Sequence, residues 1–136
     1  MKHGSCLCGA VSFTVAAELK RPDACHCVQC RKFSGHYFVS TDAPRNAVTI
    51  SGSEKIAWYA SSERVRRGFC SICGCSLFFD PPGKDWIGIA MGAIDGPSGT
   101  STELHVFVGE KGDYYGIDDG LPQYERIPAQ PPGGAR

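Results

Sequence analysis

Eight cysteines fall in three clusters along this chain of 136 residues: Cys6 and Cys8, then Cys25, Cys27 and Cys30, then Cys70, Cys73 and Cys75. Close spacing of this kind suits metal binding, because thiolates one or two residues apart can reach one ion. Zinc takes four ligands when its role is structural. It takes three protein ligands when one position serves water or substrate. The segment C-H-C-V-Q-C at 25–30 offers three thiols and one imidazole, so its chemistry turns on how the fourth position is filled.

The stretch F-C-S-I-C-G-C-S-L at 69–77 contains C-x-x-C-G, the pattern of a zinc knuckle. Two residues between the thiols allow a tight turn to aim both sulfurs at one ion. The glycine that follows accepts positive φ and frees backbone N–H groups to face them. A knuckle provides two ligands, and Cys6 and Cys8 are expected to provide the other two. In an extended strand residues two apart share a face, and Gly9 then gives the chain room to turn. Cys6, Cys8, Cys70 and Cys73 together would close a structural four-thiolate site.

The second cluster differs. Cys25 and Cys27 can reach one ion by extended geometry, and Cys30 by a turn. His26, between them, is either the fourth ligand or, as alternation favours, a residue pointing away from the ion, at the surface or behind the ligands. Cys75 is either a further ligand that closes this site or, as preferred here, a small buried thiol. If both stand aside, Cys25, Cys27 and Cys30 leave a position open for chemistry.

The elements that must hold these ligands are short strands. Expected strands are 9–15, 36–40, 47–51, 55–60, 65–70, 76–80, 86–94 and 103–108, bounded by the turn residues among 17 glycines and 9 prolines. A helical turn or two is expected only in V-Q-C-R-K-F after Cys27. The reading is one all-β domain over 1–127, curved or sandwich-like. A Pro/Gly-rich tail follows over 128–136.

Fourteen basic residues balance fourteen acidic ones, so no global field favours nucleic acid or acidic membranes. Arg64, Arg66 and Arg67 are expected on a solvated strand face. No signal-peptide core or apolar run long enough to span a bilayer is found. The expected location is cytoplasmic, where clustered cysteines are metal ligands rather than disulfides. Nucleophile-elbow, P-loop and H-E-x-x-H motifs are absent, and G-I-A-M-G-A-I-D-G lacks the following helix of a dinucleotide site.

With G-S-C-L-C-G-A-V-S-F, C-H-C-V-Q-C-R-K-F-S-G, R-R-G-F-C-S-I-C-G-C-S-L-F-F and L-H-V-F-V-G-E-K-G-D-Y-Y-G-I-D-D-G-L-P-Q-Y-E in this order, the sequence resembles the glutathione-dependent formaldehyde-activating enzyme family. That family also includes centromere protein V. His105, Lys111 and D-G-L-P-Q-Y-E match it in register. Cys75 stands where Ser or Thr is more usual, and Tyr114 where Trp is. The resemblance implies a β-tent fold of short antiparallel strands around two zinc ions. Cys6, Cys8, Cys70 and Cys73 would hold the structural one, and Cys25, Cys27 and Cys30 the catalytic one.

The implied activity is that of a carbon–sulfur lyase joining a small thiol such as glutathione, as co-substrate, to an aldehyde such as formaldehyde. His26 and His105 are candidates for protonating the nascent alkoxide, and Arg31 for pairing with a substrate carboxylate. The alternative is a non-catalytic binding module with two structural metals. DNA binding in the manner of centromere protein V is disfavoured by zero net charge and the lack of a basic tail.

Overall fold

A computed structural model describes residues 1–128. The expected tail therefore lies, from residue 129 onward, outside the described residues. The elements in chain order are β1 (Lys2–Ser5), β2 (Ser12–Val15), β3 (Asp23–Cys25), α1 (Val28–Ser34), β4 (Phe38–Pro44), β5 (Val48–Ser51), β6 (Ile56–Ala60), β7 (Arg66–Cys70), β8 (Ser76–Asp80), β9 (Trp86–Ala90), β10 (Ile94–Asp95) and β11 (Leu104–Val106). The fold is all-β with one short α-helix among the described residues. None of the described helices is long and apolar enough to cross a membrane.

The strands form a sheet of four, in the order β10-β1-β2-β5, and a sheet of seven, in the order β11-β3-β4-β9-β8-β7-β6. Pairing is antiparallel as expected except between β3 and β11, which run parallel. That exception matters for the site, since it sets Val106 opposite Cys25 and His105 opposite Ala24. The apolar run expected as one strand over 86–94 is broken by a 3-10 turn at Met91–Ala93. The break sends β9 into the large sheet and β10 into the small one, so one continuous run of sequence ties both sheets together. Strands β1 and β3 escaped the reading of the sequence. Lys-His-Gly-Ser has little strand propensity, and Asp-Ala-Cys is only three residues long; both are strands because neighbours pair with them.

The facing surfaces of the sheets form the core. Phe13 of β2 meets Phe78 of β8 edge-on at 5.4 Å, and Trp58 of β6 stacks on Phe78 at 6.2 Å. Val11, Val15, Leu77 and Ile89 are fully buried around them. A bulge between β7 and β8 makes Leu77 the extra residue, so Leu77 and Phe78 are buried in succession. Simple alternation would have exposed one of them.

At the other end of β8, Asp80 is buried. It accepts hydrogen bonds from Arg45 Nη2 and Arg66 Nε, each at 2.7 Å. Arg66 also lies 4.0 Å over the Trp58 ring. Of the basic cluster expected on a solvated face, Arg64 is exposed, whereas Arg66 is engaged and Arg67 is only 4% exposed. Two half-exposed cations share one buried anion. Removing that anion as Asp80→Ala is expected to lower unfolding free energy by about 2 kcal/mol in denaturant titrations at fixed zinc concentration. A change below about 0.5 kcal/mol would contradict this role.

Candidate metal centres and their cleft

The sulfurs of Cys6, Cys8, Cys70 and Cys73 lie within 4.8 Å of one another. The sequence suggests that Cys6 and Cys8 share a strand face. Instead they lie in a turn after β1, and it is built like the turn around Cys70 and Cys73. In each, the first cysteine's N–H donates to a carbonyl five residues on, Cys6 to Val11 at 2.9 Å and Cys70 to Cys75 at 3.0 Å. In each, that cysteine's carbonyl accepts from a glycine N–H, Gly9 or Gly74. Both glycines have positive φ, 80° and 77°, which suits glycine and few other residues. Backbone N–H groups then reach the sulfurs: Val11 donates to Cys6 Sγ at 3.3 Å and Ile72 to Cys70 Sγ at 3.4 Å. Similar donation, chiefly from the N–H of Cys75, lowers Cys73 to about 6.

The second group gathers Cys25, Cys27 and Cys30, again within 4.8 Å of one another. Cys25 ends β3. Cys27 keeps extended backbone (φ −65°, ψ 160°) and is the N-cap of α1, its sulfur accepting from Cys30 N–H at 3.3 Å. Gly35 closes the helix in the left-handed conformation, its N–H donating to the Arg31 carbonyl at 2.8 Å. Helix α1 is therefore one stiff turn pair whose purpose is to bring Cys30 back beside Cys27.

Both groups fit a metal ion by their donor chemistry. Hydrogen bonds from Cys25 and Cys30 hold the Cys27 thiol at about 2, while the same contact with Cys27 pushes Cys25 far up. One negative charge shared among three sulfurs is what protein groups alone can support. All three ionise together only around a cation. Among the described residues the second group has three members. Cys75 is not one of them: burial raises its thiol first, and the charges that act on it come from Cys73, Cys6 and Cys70 of the other group.

Arg67 is the site residue that sequence reasoning missed. Its guanidinium donates to Cys30 Sγ at 3.4 Å, to Gln29 Oε1 at 3.3 Å and to Ser61 Oγ at 3.2 Å. It also lies over the rings of Phe33 and Phe79, at 5.6 and 5.2 Å. A run of basic residues on a strand gives no sign of which member turns inward. The bulge after Gly68 and the packing of α1 decide it.

The three cysteines open on a cleft of about 780 Å³. Phe79, Trp86 and Phe107 supply aromatic wall, and Arg64, Lys84, Glu63 and Glu110 supply charge. Of the other candidate residues, none lines this cleft. Arg31 Nε donates to the Glu110 carbonyl at 3.1 Å. His26 and His105 lie behind the ligand loop. His26, which alternation turned away from the ligand face, is not at the surface but wholly buried.

These two imidazoles form a chain of hydrogen bonds. His105 Nε2 meets Asp119 Oδ2 at 2.7 Å, His105 Nδ1 meets His26 Nε2 at 2.8 Å, and His26 Nδ1 meets the Tyr115 hydroxyl at 2.5 Å. Burial, aided by the charges of His105, His36 and Lys111, lowers His26 to about 4. With neutral rings the chain has one direction. The carboxylate accepts from His105 Nε2–H, His105 Nδ1 accepts from His26 Nε2–H, and His26 Nδ1 accepts from the Tyr115 O–H. Lys111 Nζ donates to the Tyr115 carbonyl and caps the same turn. The segment 111–119 is thereby tied to the back of the ligand loop.

Comparison with known proteins agrees with this geometry. The family described as glutathione-dependent formaldehyde-activating enzyme matches residues 1–110. An uncharacterized lyase of Schizosaccharomyces pombe is 29% identical over 114 residues, covering 83% of this chain and 82% of that protein. A Halomonas elongata protein whose name carries the same formaldehyde-activating description is 30% identical over 126 residues, covering 85% and 80%. A crystal structure of a Rhodobacter sphaeroides protein superposes with a TM-score of 0.60 over 90% of this chain and 98% of that one. At 17% identity it shares the fold.

The direction of the histidine chain is open to measurement. Long-range ¹H–¹⁵N correlation spectra at pH 7 are expected to show His26 neutral and protonated at Nε2, the nitrogen facing His105. An imidazolium pattern for His26, or a proton on its Nδ1, would contradict the assignment.

Proposed function

The chain belongs to the glutathione-dependent formaldehyde-activating enzyme family, and from that premise we propose that it is a carbon–sulfur lyase-type enzyme forming and cleaving thiol–aldehyde adducts, with glutathione as the thiol. The observation that carries this reading is a cleft lined by a group of three cysteines with no fourth cysteine among the described residues. A purely structural group would have no use for the cleft.

Cys25, Cys27 and Cys30 would hold one zinc ion, and Cys6, Cys8, Cys70 and Cys73 a second. Zinc held by the three-cysteine group would supply Lewis acidity and would favour the thiolate form of an incoming thiol. The chain's own residues do the rest. Arg64 and Lys84 offer cations to the two carboxylates of glutathione, and Glu63 and Glu110 offer anions to its ammonium. Arg67 steadies the Cys30 sulfur and keeps a positive charge beside the thiolates. His26 and His105 fix the ligand loop from behind, tying it to the segment that carries Tyr115 and Asp119.

In the forward direction the thiol sulfur attacks the carbonyl carbon. A carbon–sulfur bond forms, the carbonyl π pair moves to oxygen, and the thiol proton ends on that oxygen. The aromatic walls exclude bulk water and hold the two reactants together, which is where most of the acceleration is expected to arise.

Exchange NMR on mixtures of glutathione and formaldehyde tests the proposal. The wild-type protein is expected to accelerate exchange between free and adduct forms. Cys27→Ser, which removes one thiolate but keeps an N-cap oxygen, is expected to return exchange to the uncatalysed rate. Acceleration that survives in Cys27→Ser would remove the three-cysteine group from the chemistry.

A further inference from the structure

The composition of the cleft wall points beyond a one-carbon aldehyde. Cys30 lies against Arg67, Arg67 against Phe79 at 5.2 Å, and Phe79 stacks on Trp86 at 6.1 Å with rings only 11° from parallel. An apolar shelf thus extends outward from the cysteines. Pro81 and Pro82 continue it on one side, and Phe107 stands with it on the wall of the same cleft.

This wall is preformed. Arg45 fixes the loop between β8 and β9: its backbone N–H donates to the Asp85 carbonyl at 2.8 Å, and its guanidinium donates to the carbonyls of Pro81, Lys84 and Trp86. Phe107 is held more expensively. Its φ is 56°, one of two positive values among non-glycine residues described, a conformation disfavoured for an aromatic side chain. Backbone bonds on both sides enforce it, Phe107 N–H donating to the Arg126 carbonyl and Val108 N–H to that of Tyr124. Strain of this kind collects at functional sites, and here it sets an aromatic ring in the wall of the cleft that Cys25 and Cys27 also line.

Glutathione gives such a wall little to bind. It is a zwitterionic peptide whose apolar surface is a few methylenes, and formaldehyde has no apolar surface at all. Burial of an aromatic wall stabilises a complex only where the ligand brings apolar area of its own. The charged rim accounts for the thiol, and the shelf is left for the other half of the adduct. Resting on the reading above, the geometry points to an aldehyde bearing an aryl or extended alkyl group, its substituent lying between Phe79, Trp86 and Phe107. The bond changes are those already written: the carbonyl carbon gains sulfur, its oxygen gains the thiol proton, and nothing is oxidised or reduced.

Exchange NMR with glutathione and either formaldehyde or phenylacetaldehyde separates the two claims. Wild-type kcat/KM is expected to be at least about tenfold higher for phenylacetaldehyde, the discrimination a hydrophobic pocket commonly achieves. Trp86→Gln and Phe107→Asn should each lower that preference at least about tenfold. Asn tolerates the left-handed backbone, so Phe107→Asn removes the ring without adding strain, and a zinc content and unfolding midpoint matching wild type report that the site has folded. Acceleration of formaldehyde exchange without that of phenylacetaldehyde, or a preference unmoved in both variants, overturns this inference alone. Acceleration of neither overturns the proposed function with it.

Discussion

The sulfurs of Cys6, Cys8, Cys70 and Cys73 crowd within 4.8 Å, and those of Cys25, Cys27 and Cys30 do the same. Seven thiols in two such groups cannot all ionise without cations, and neutral thiols need no such convergence. The groups are also where distant pieces of chain meet. One joins the turn after β1 to the turn after β7, two strands that belong to different sheets. The other joins the end of β3 to a helix of seven residues that would be marginal by itself. In a domain whose strands are two to seven residues long, these two cysteine groups are the places where a metal would fix what strand length alone leaves loose.

The second group is supported from both sides. On the cleft side Arg67, a buried residue of β7, bonds Cys30 and lies over two rings. Behind the loop, Tyr115, His26, His105 and Asp119 form one line of hydrogen bonds, and the parallel pairing of β3 with β11 sets the two histidines side by side. Asp119 is held below the usual carboxylate range chiefly by His105, which keeps the outer end of the line an acceptor. Displacement of 111–119 would therefore be felt at the ligand loop, through the ring of a residue that touches neither the cleft nor a substrate.

Much of this was legible in the sequence, because ligand spacing is a local property. C-x-x-C-G and C-x-C-x-x-C announce their groups before any fold is known, and β8 was readable to the residue from Ser-Leu-Phe-Phe-Asp. The errors came where tertiary contact decides. Cys6 and Cys8 converge through a turn rather than a strand, since Gly9 takes positive φ and the Cys6 N–H needs the Val11 carbonyl. Alternation turned His26 from the cysteines, but it could not show that its ring nitrogens meet another histidine and a tyrosine. Arg67 reads like Arg64 and Arg66 until a bulge and a helix enclose it. The cleft itself, assembled from β6–β7, β8–β9 and the C-terminal segment, has no local signature.

The central claim is that the three-cysteine group holds a metal with a ligand position left for a thiol. Zinc K-edge X-ray absorption on the fully loaded protein, before and after glutathione, tests it directly. A position left for a thiol gives an average shell that includes some lighter-atom ligation at first, and that becomes all-sulfur when glutathione is added. An all-sulfur shell before glutathione, unchanged after it, would contradict the claim.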